Sequence, residues 1–205
     1  MISSVRSLIN VSLDRQIKEI NAQLGIVSGR GFARVRDLVC WERYSVDVSA
    51  YSNTRKRLFE SKIEAPETTT LGRVPFAKCE LPSDRAWLID GFWVVPDADG
   101  TVADLQDLLD LAAMNIKTKG GDEVALPYIP LARLFAGSPL DWSQTTAADG
   151  FTVAGRPGDY YPFQVPILVP PNGIADVGYK FGTISGISGD VALIHGLHGL
   201  EFSKG

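Results

Sequence analysis

Apolar and polar residues alternate on either side of the corner Pro170-Pro171-Asn172-Gly173. Before it the apolar positions are Phe163, Val165, Ile167 and Val169; after it they are Ala175, Val177, Tyr179 and Phe181, with Asp176 and Lys180 facing the other way. A period of two predicts two half-buried strands with those residues inward. Prolines fix φ and remove donors, and Asn-Gly supplies the positive-φ reversal, so the corner reads as a stiff turn that admits no further strand. The same alternation marks Tyr44, Val46, Val48 and Ala50 as a first strand, and Val191, Leu193, His195 and Leu197 as a last one. Residues 85–96 are apolar on both faces, with Trp87, Ile89, Trp93 and Val95 on one side and Leu88, Phe92 and Val94 on the other. Such a strand is expected to be covered twice, by a second sheet and by a loop or partner chain. From Met114 the pattern predicts a hairpin over Lys119-Gly120-Gly121-Asp122.

Helical spacing is confined to short stretches. Residues 11–24 carry Leu13, Ile17, Ile20 and Leu24 on one stripe, with Ser12 as cap and Gly25 as stop. Ile2, Val5 and Ile9 extend the stripe backward. Thr101 caps a candidate helix with Leu105, Leu108, Leu109 and Ala112 at helical spacing, and one helical turn before a loop fits within residues 131–142. Residues 64–75 read as a polar linker or edge segment, and 143–160 as a long surface loop. About eight strand candidates between residues 44 and 202, without a βαβ rhythm, predict an all-β antiparallel sandwich or barrel over 41–205. Residues 1–40 form a helical, basic arm in this reading.

Composition sharpens the division. The chain has 205 residues, 45% hydrophobic, with 20 Gly and 12 Pro, suited to one domain of many short strands. Residues 1–62 carry a balance of +5 and residues 63–205 a balance of −9, which together make the net −4. A basic first third on an acidic body points to different surroundings for the two ends. Arg55, Lys56 and Arg57 are candidates for contact with an anionic surface, and Leu13, Ile17, Ile20 and Leu24 for docking the arm on a neighbour. The same features also describe a solvated surface and a helix docked on its own domain. No apolar run is long enough to span a membrane, and the first residues lack a secretory pattern. Cys40 and Cys79, outside any C-x-x-C spacing, read as buried thiols of a protein assembled in a reducing cytoplasm, with their pairing left open.

Candidate chemistry is sparse. His195 and His198, three apart on a strand, are expected on opposite faces and so not on a shared metal. Asp97, Asp99 and Asp104 around Gly100 loosely follow a calcium loop but lack its later ligands. The glycines of 182–189 fit neither a nucleophile elbow nor a phosphate loop. No residue emerges for catalysis, so no enzyme activity and no cofactor are expected.

The corner "PILVPPNGIADVGYKF" and the closing "GDVALIHGLHGLEF" resemble the late strands of jelly-roll capsid proteins of tail-less icosahedral bacteriophages, and "WLIDGFWVV" is similar to an early strand of such a roll. The resemblance covers residue 74 onward. It implies an eight-stranded antiparallel jelly-roll β-sandwich, with residues 101–113 as a short inserted helix and an N-terminal amphipathic helix as an arm. It further implies a virion shell subunit made in the host cytoplasm. Its partners would be copies of itself and other shell proteins, with the basic N-terminal region meeting nucleic acid or an internal membrane. The alternative is a carbohydrate-binding or fibre-type sandwich using loop aromatics such as Trp142, Tyr160 and Tyr161.

Overall fold

Ten strands are present in a computed structural model that describes residues 15–22 (except 16), 34–46, 55–64, 72–96, 108–118 (except 109), 123–134, 160–182 and 191–204. They are β1 (Arg34–Asp37), β2 (Cys40–Val46), β3 (Arg55–Arg57), β4 (Gly72–Arg73), β5 (Arg85–Pro96), β6 (Ala112–Thr118), β7 (Glu123–Pro130), β8 (Tyr161–Val169), β9 (Asp176–Phe181) and β10 (Val191–Ser203). Sheet A has the order β4-β2-β10-β5-β8, with β1 also paired to β10; sheet B has the order β3-β9-β6-β7. Every pairing between them is antiparallel.

The pairs nest. β6 pairs with β7, β5 with β8, β3 with β9 and β2 with β10. Thr118 opposite Glu123 brackets the hairpin expected over residues 119–122. β1 and β2 lie end to end along β10, joined by the Leu38 N–H donating to the Gly199 carbonyl at 2.9 Å. Residues 34–37, assigned from sequence to a helical arm, are therefore strand. Their charges are tolerated because all four residues of β1 are exposed.

One core is shared by the two sheets. Trp87, Ile89, Phe92, Val94 and Leu193 come from sheet A; Met114, Ile116, Val177, Tyr179 and Phe181 come from sheet B. Ala175, Val177, Tyr179 and Phe181 are all buried, as their alternation predicts. The corner closes with Gly173 N–H donating to the Pro170 carbonyl at 2.8 Å, and Asn172 takes the positive φ.

Two strands depart from simple alternation. Along β10 the register runs from His198↔Gly91 to Gly199↔Ile89, so Asp90 is an extra residue in β5. A bulge of this kind reverses the in–out phase. Trp87 and Ile89 therefore share the core with Phe92 and Val94, while Trp93 and Val95 are part-exposed. The faces expected for residues 85–96 are corrected accordingly. In β8 the pairing jumps from Ile89↔Ile167 to Gly91↔Pro162, and residues 163–166 leave the ladder. Phe163, Ile167 and Val169 stay buried, but Val165 is 66% exposed and not inward.

The outer cover of β5 belongs to the same chain. Helical residues 17–22 place Ile20 against Ala86, Leu88 and Phe202, with Ile17, Leu168 and Leu200 around them. Leu131–Leu134 is the expected single turn, with both leucines buried. Residues 108, 110 and 111 are helical, but Ala112 already begins β6; Thr101, Leu105 and Leu109 lie outside the described residues.

Among the described residues, the strands at the ends of the two sheet orders resist strand addition. β4 has two residues, and β3 is the three-residue Arg-Lys-Arg. β7 contains Pro127 and Pro130, and β8 contains Pro162 and Pro166. Short strands, charges and prolines each block edge-to-edge pairing.

Candidate functional site

Nonlocal pairing converts several local charges into internal pins. Glu201, 3% exposed, accepts from Arg36 Nε at 2.9 Å and Nη2 at 2.5 Å, from Arg85 Nη1 at 3.1 Å and from Trp87 Nε1 at 3.2 Å. A carboxylate so deep is tolerated because it is paired and hydrogen-bonded on both oxygens. It fastens β1 and β5 to β10.

The basic triplet of β3 is used in a similar way. Arg55 Nε donates to Asn115 Oδ1 at 2.9 Å, Nη1 to both Asp176 carboxylate oxygens at 3.0 and 3.2 Å, and Nη2 to the Asp176 carbonyl at 2.9 Å. Arg57 approaches the same carboxylate at 3.4 Å and donates to the Lys78 carbonyl at 2.6 Å. Gly178 makes room for this: a Cβ there would lie 2.6 Å from the Arg55 guanidinium carbon. Lys56 also has an interaction partner. Two of the three residues singled out for an anionic surface thus direct their donors inward. Of the arm residues, Ile20 is fully buried on its own sheet and Ile17 packs beside it, while Leu13 and Leu24 lie outside the described residues. Asp97, Asp99, Asp104 and Trp142 lie outside them as well. Among the described residues, no group of three or more His, Cys, Asp or Glu is placed to hold a metal ion.

The two histidines occupy opposite faces of β10, as their spacing predicts. His195 is fully buried inside a ring cage: Phe59 at 5.3 Å, Tyr179 at 5.4 Å, Phe92 at 5.8 Å and Tyr44 at 6.2 Å between centroids. Its Nε2 lies 3.4 Å from Glu42 Oε1, which also accepts from the Phe59 N–H at 2.6 Å. Burial pulls the His195 pKa below its ordinary value, and Glu42 opposes that only in part. Burial likewise raises the Tyr179 hydroxyl, well above the usual phenol.

His198 faces outward. Its Nδ1 lies 2.5 Å from Asp90 Oδ1, and its ring stacks on Tyr160 at 3.7 Å with 7° between planes. The Tyr160 ring fills the space above Gly91, and the Trp93 ring covers Gly196, where a Cβ would meet Cε2 at 2.6 Å. Trp41 lies opposite Gly196 on β2, as Trp93 does on β5. The outer face of sheet A therefore carries Trp41, Trp93, Tyr160, His198 and Asp90 together, all partly exposed or exposed. Tyr161, by contrast, packs against the core. Sequence reasoning named Tyr160 but missed Asp90, which only the bulge brings beneath His198. Glu42 and Glu201 were also missed, since their partners lie far along the chain.

No family model matches this chain, and neither a curated protein nor a solved structure matches it.

Proposed function

We propose that the chain is a structural shell subunit built on a jelly roll, assembling through contacts between copies of itself and other shell proteins in a virion. The observation that carries the reading is strand order. With β1 and β2 counted as one strand and the two-residue β4 set aside, eight strands remain. Numbered along the chain, they lie as 1-8-3-6 in sheet A and 2-7-4-5 in sheet B. This order supports a jelly roll, because rolling up one long antiparallel ribbon into a doubled Greek key would produce it. Capsid proteins, lectins and cupins are built on such rolls.

The surface supports the shell reading. Apolar side chains lie exposed on the terminal strands β7 and β8: Val124 at 56%, Tyr128 at 45% and Val165 at 66%. Exposed apolar groups favour association. Purified protein is expected to form particles or closed homo-oligomers in electron micrographs and by light scattering. Val124→Glu with Val165→Glu is expected to weaken assembly at least about tenfold, near 1.4 kcal/mol, with the monomer fold retained. A strict monomer at every concentration, with or without its natural shell partners, overturns the reading.

A second reading, a carbohydrate-binding sandwich, is favoured by the aromatic cluster on sheet A. Flat rings beside a His–Asp pair suit a pyranose, which has apolar faces and hydroxyl edges. On this reading oligosaccharides quench tryptophan fluorescence saturably, and Trp93→Ala removes most of the affinity. A flat response across a broad glycan panel eliminates it.

A further inference from the structure

Two buried thiols lie in the core shared by the two sheets. The β2–β4 pairing sets Trp41 opposite Arg73, so the chain leaving β4 passes the beginning of β2. It then enters a 3-10 turn, Ala77–Cys79, in which Lys78 and Cys79 hold φ of 57° and 50°. Consecutive left-handed residues other than Gly persist only where surroundings fix them. Here the Lys78 N–H donates to the Phe59 carbonyl at 2.6 Å, and the Cys79 N–H to the Phe76 carbonyl at 3.0 Å. The Cys79 carbonyl accepts from Ala175 N–H at 3.2 Å, just before β9. Cys40 and Cys79 are both free, almost fully buried and part of one core cluster, and the Cys79 thiol is near enough to Cys40 to add to the rise of its pKa. Cys40 belongs to sheet A through its partner Leu197, whereas Cys79 is held to the entry of sheet B.

We propose that Cys40 and Cys79 are a covalent modification site, forming an intramolecular disulfide by exchange with a low-molecular-weight disulfide of the glutathione type. One protein thiolate attacks oxidised glutathione, releasing one glutathione and leaving a mixed disulfide. The second protein thiolate then displaces the other glutathione. Two protein S–H groups are lost, one S–S bond forms, and the electron pair reduces glutathione disulfide to two thiols. The bond closes a loop between positions 40 and 79 and ties sheet A to the corner that starts β9. Burial holds the Cys40 thiol well above its ordinary pKa, so exchange is slow at neutral pH and proceeds through local opening. A chain passing from a reducing to an oxidising compartment would gain this staple there. The inference holds for any role of the fold.

The test uses the intact, folded protein incubated to equilibrium with oxidised glutathione at pH 8. The remaining thiols are then alkylated, and the protein is digested and analysed by mass spectrometry. The expected product is a peptide joining Cys40 to Cys79, with Tm raised by about 10 °C and restored by dithiothreitol. Cys79→Ala is expected to show no oxidant-dependent change in Tm, a comparison made within one protein and so independent of any cost of the substitution. Two alkylated thiols at equilibrium, a link between chains, or a Cys40–Cys79 link that leaves Tm unchanged or lower each overturn the proposal.

Discussion

Gly199→Ala is expected to destabilise the protein by about 4 kcal/mol, the sum of a left-handed backbone and a steric clash. Gly199 has φ +151°, and a Cβ there would fall 2.1 Å from the Leu88 carbonyl oxygen and 3.0 Å from Ile89 Cα. Both are backbone atoms of β5, the strand that shares the largest interface with β10, so neither can swing aside. The register between these strands changes at this point, where Asp90 is extra. Relief of the clash would therefore disturb the phase that puts Trp87 and Phe92 in one core. Gly196→Ala, three residues away on the same strand, provides the contrast. Its Cβ would meet the Trp93 ring at 2.6 Å, a part-exposed side chain that can rotate toward solvent. Its cost is expected near 1 kcal/mol. Urea unfolding of both variants checks the difference. Equal midpoints would mean that β10 tolerates a side chain at the bulge, contrary to this geometry.

How far the sequence discloses the fold depends on how local each cause is. β9 was legible because its four inward residues, its corner and its return all lie within twenty positions. The β6–β7 hairpin was legible for the same reason. The faces of β5 were not, because a bulge looks like any Asp-Gly until the partner strand fixes the register. Gly inside a strand was the available signal. β1 reads as a charged arm until Glu201, 165 residues away, gives Arg36 its partner. Arg55 and Arg57 read as outward-facing until Asp176 draws them in. Tyr160 was nameable as an aromatic near a loop, but its stacking on His198 depends on the β8 register. Periodicity specifies which residues seek a core, while the electrostatic pins are products of topology.

His195 gives the second large effect, a loss of stability on acidification. Its folded-state pKa lies below the ordinary histidine value of about 6.5 because burial penalises the charged ring. Above that value both folded and unfolded chains hold it neutral, and it contributes no pH dependence. Below it the unfolded chain takes up a proton that the folded chain refuses, so the unfolded state binds more protons and stability falls as pH falls. The slope can reach about 1.4 kcal/mol per pH unit until the folded-state pKa is reached. The groups facing the ring are Glu42 and Tyr44 from β2, Phe59 beyond β3, Phe92 from β5 and Tyr179 from β9. Of these, only Glu42 favours the charged form, and one partly buried carboxylate does not offset complete enclosure between two sheets. His195→Phe keeps a flat ring in the cage and removes the titration. Urea midpoints measured from pH 7 to pH 5 should therefore fall for the natural chain and stay nearly level for the variant. Parallel pH profiles would show that His195 titrates alike in the folded and unfolded chains, contrary to its burial. A natural chain that gains stability relative to the variant as pH falls would show His195 protonated within the folded core, paired with Glu42, with the sign of the linkage reversed.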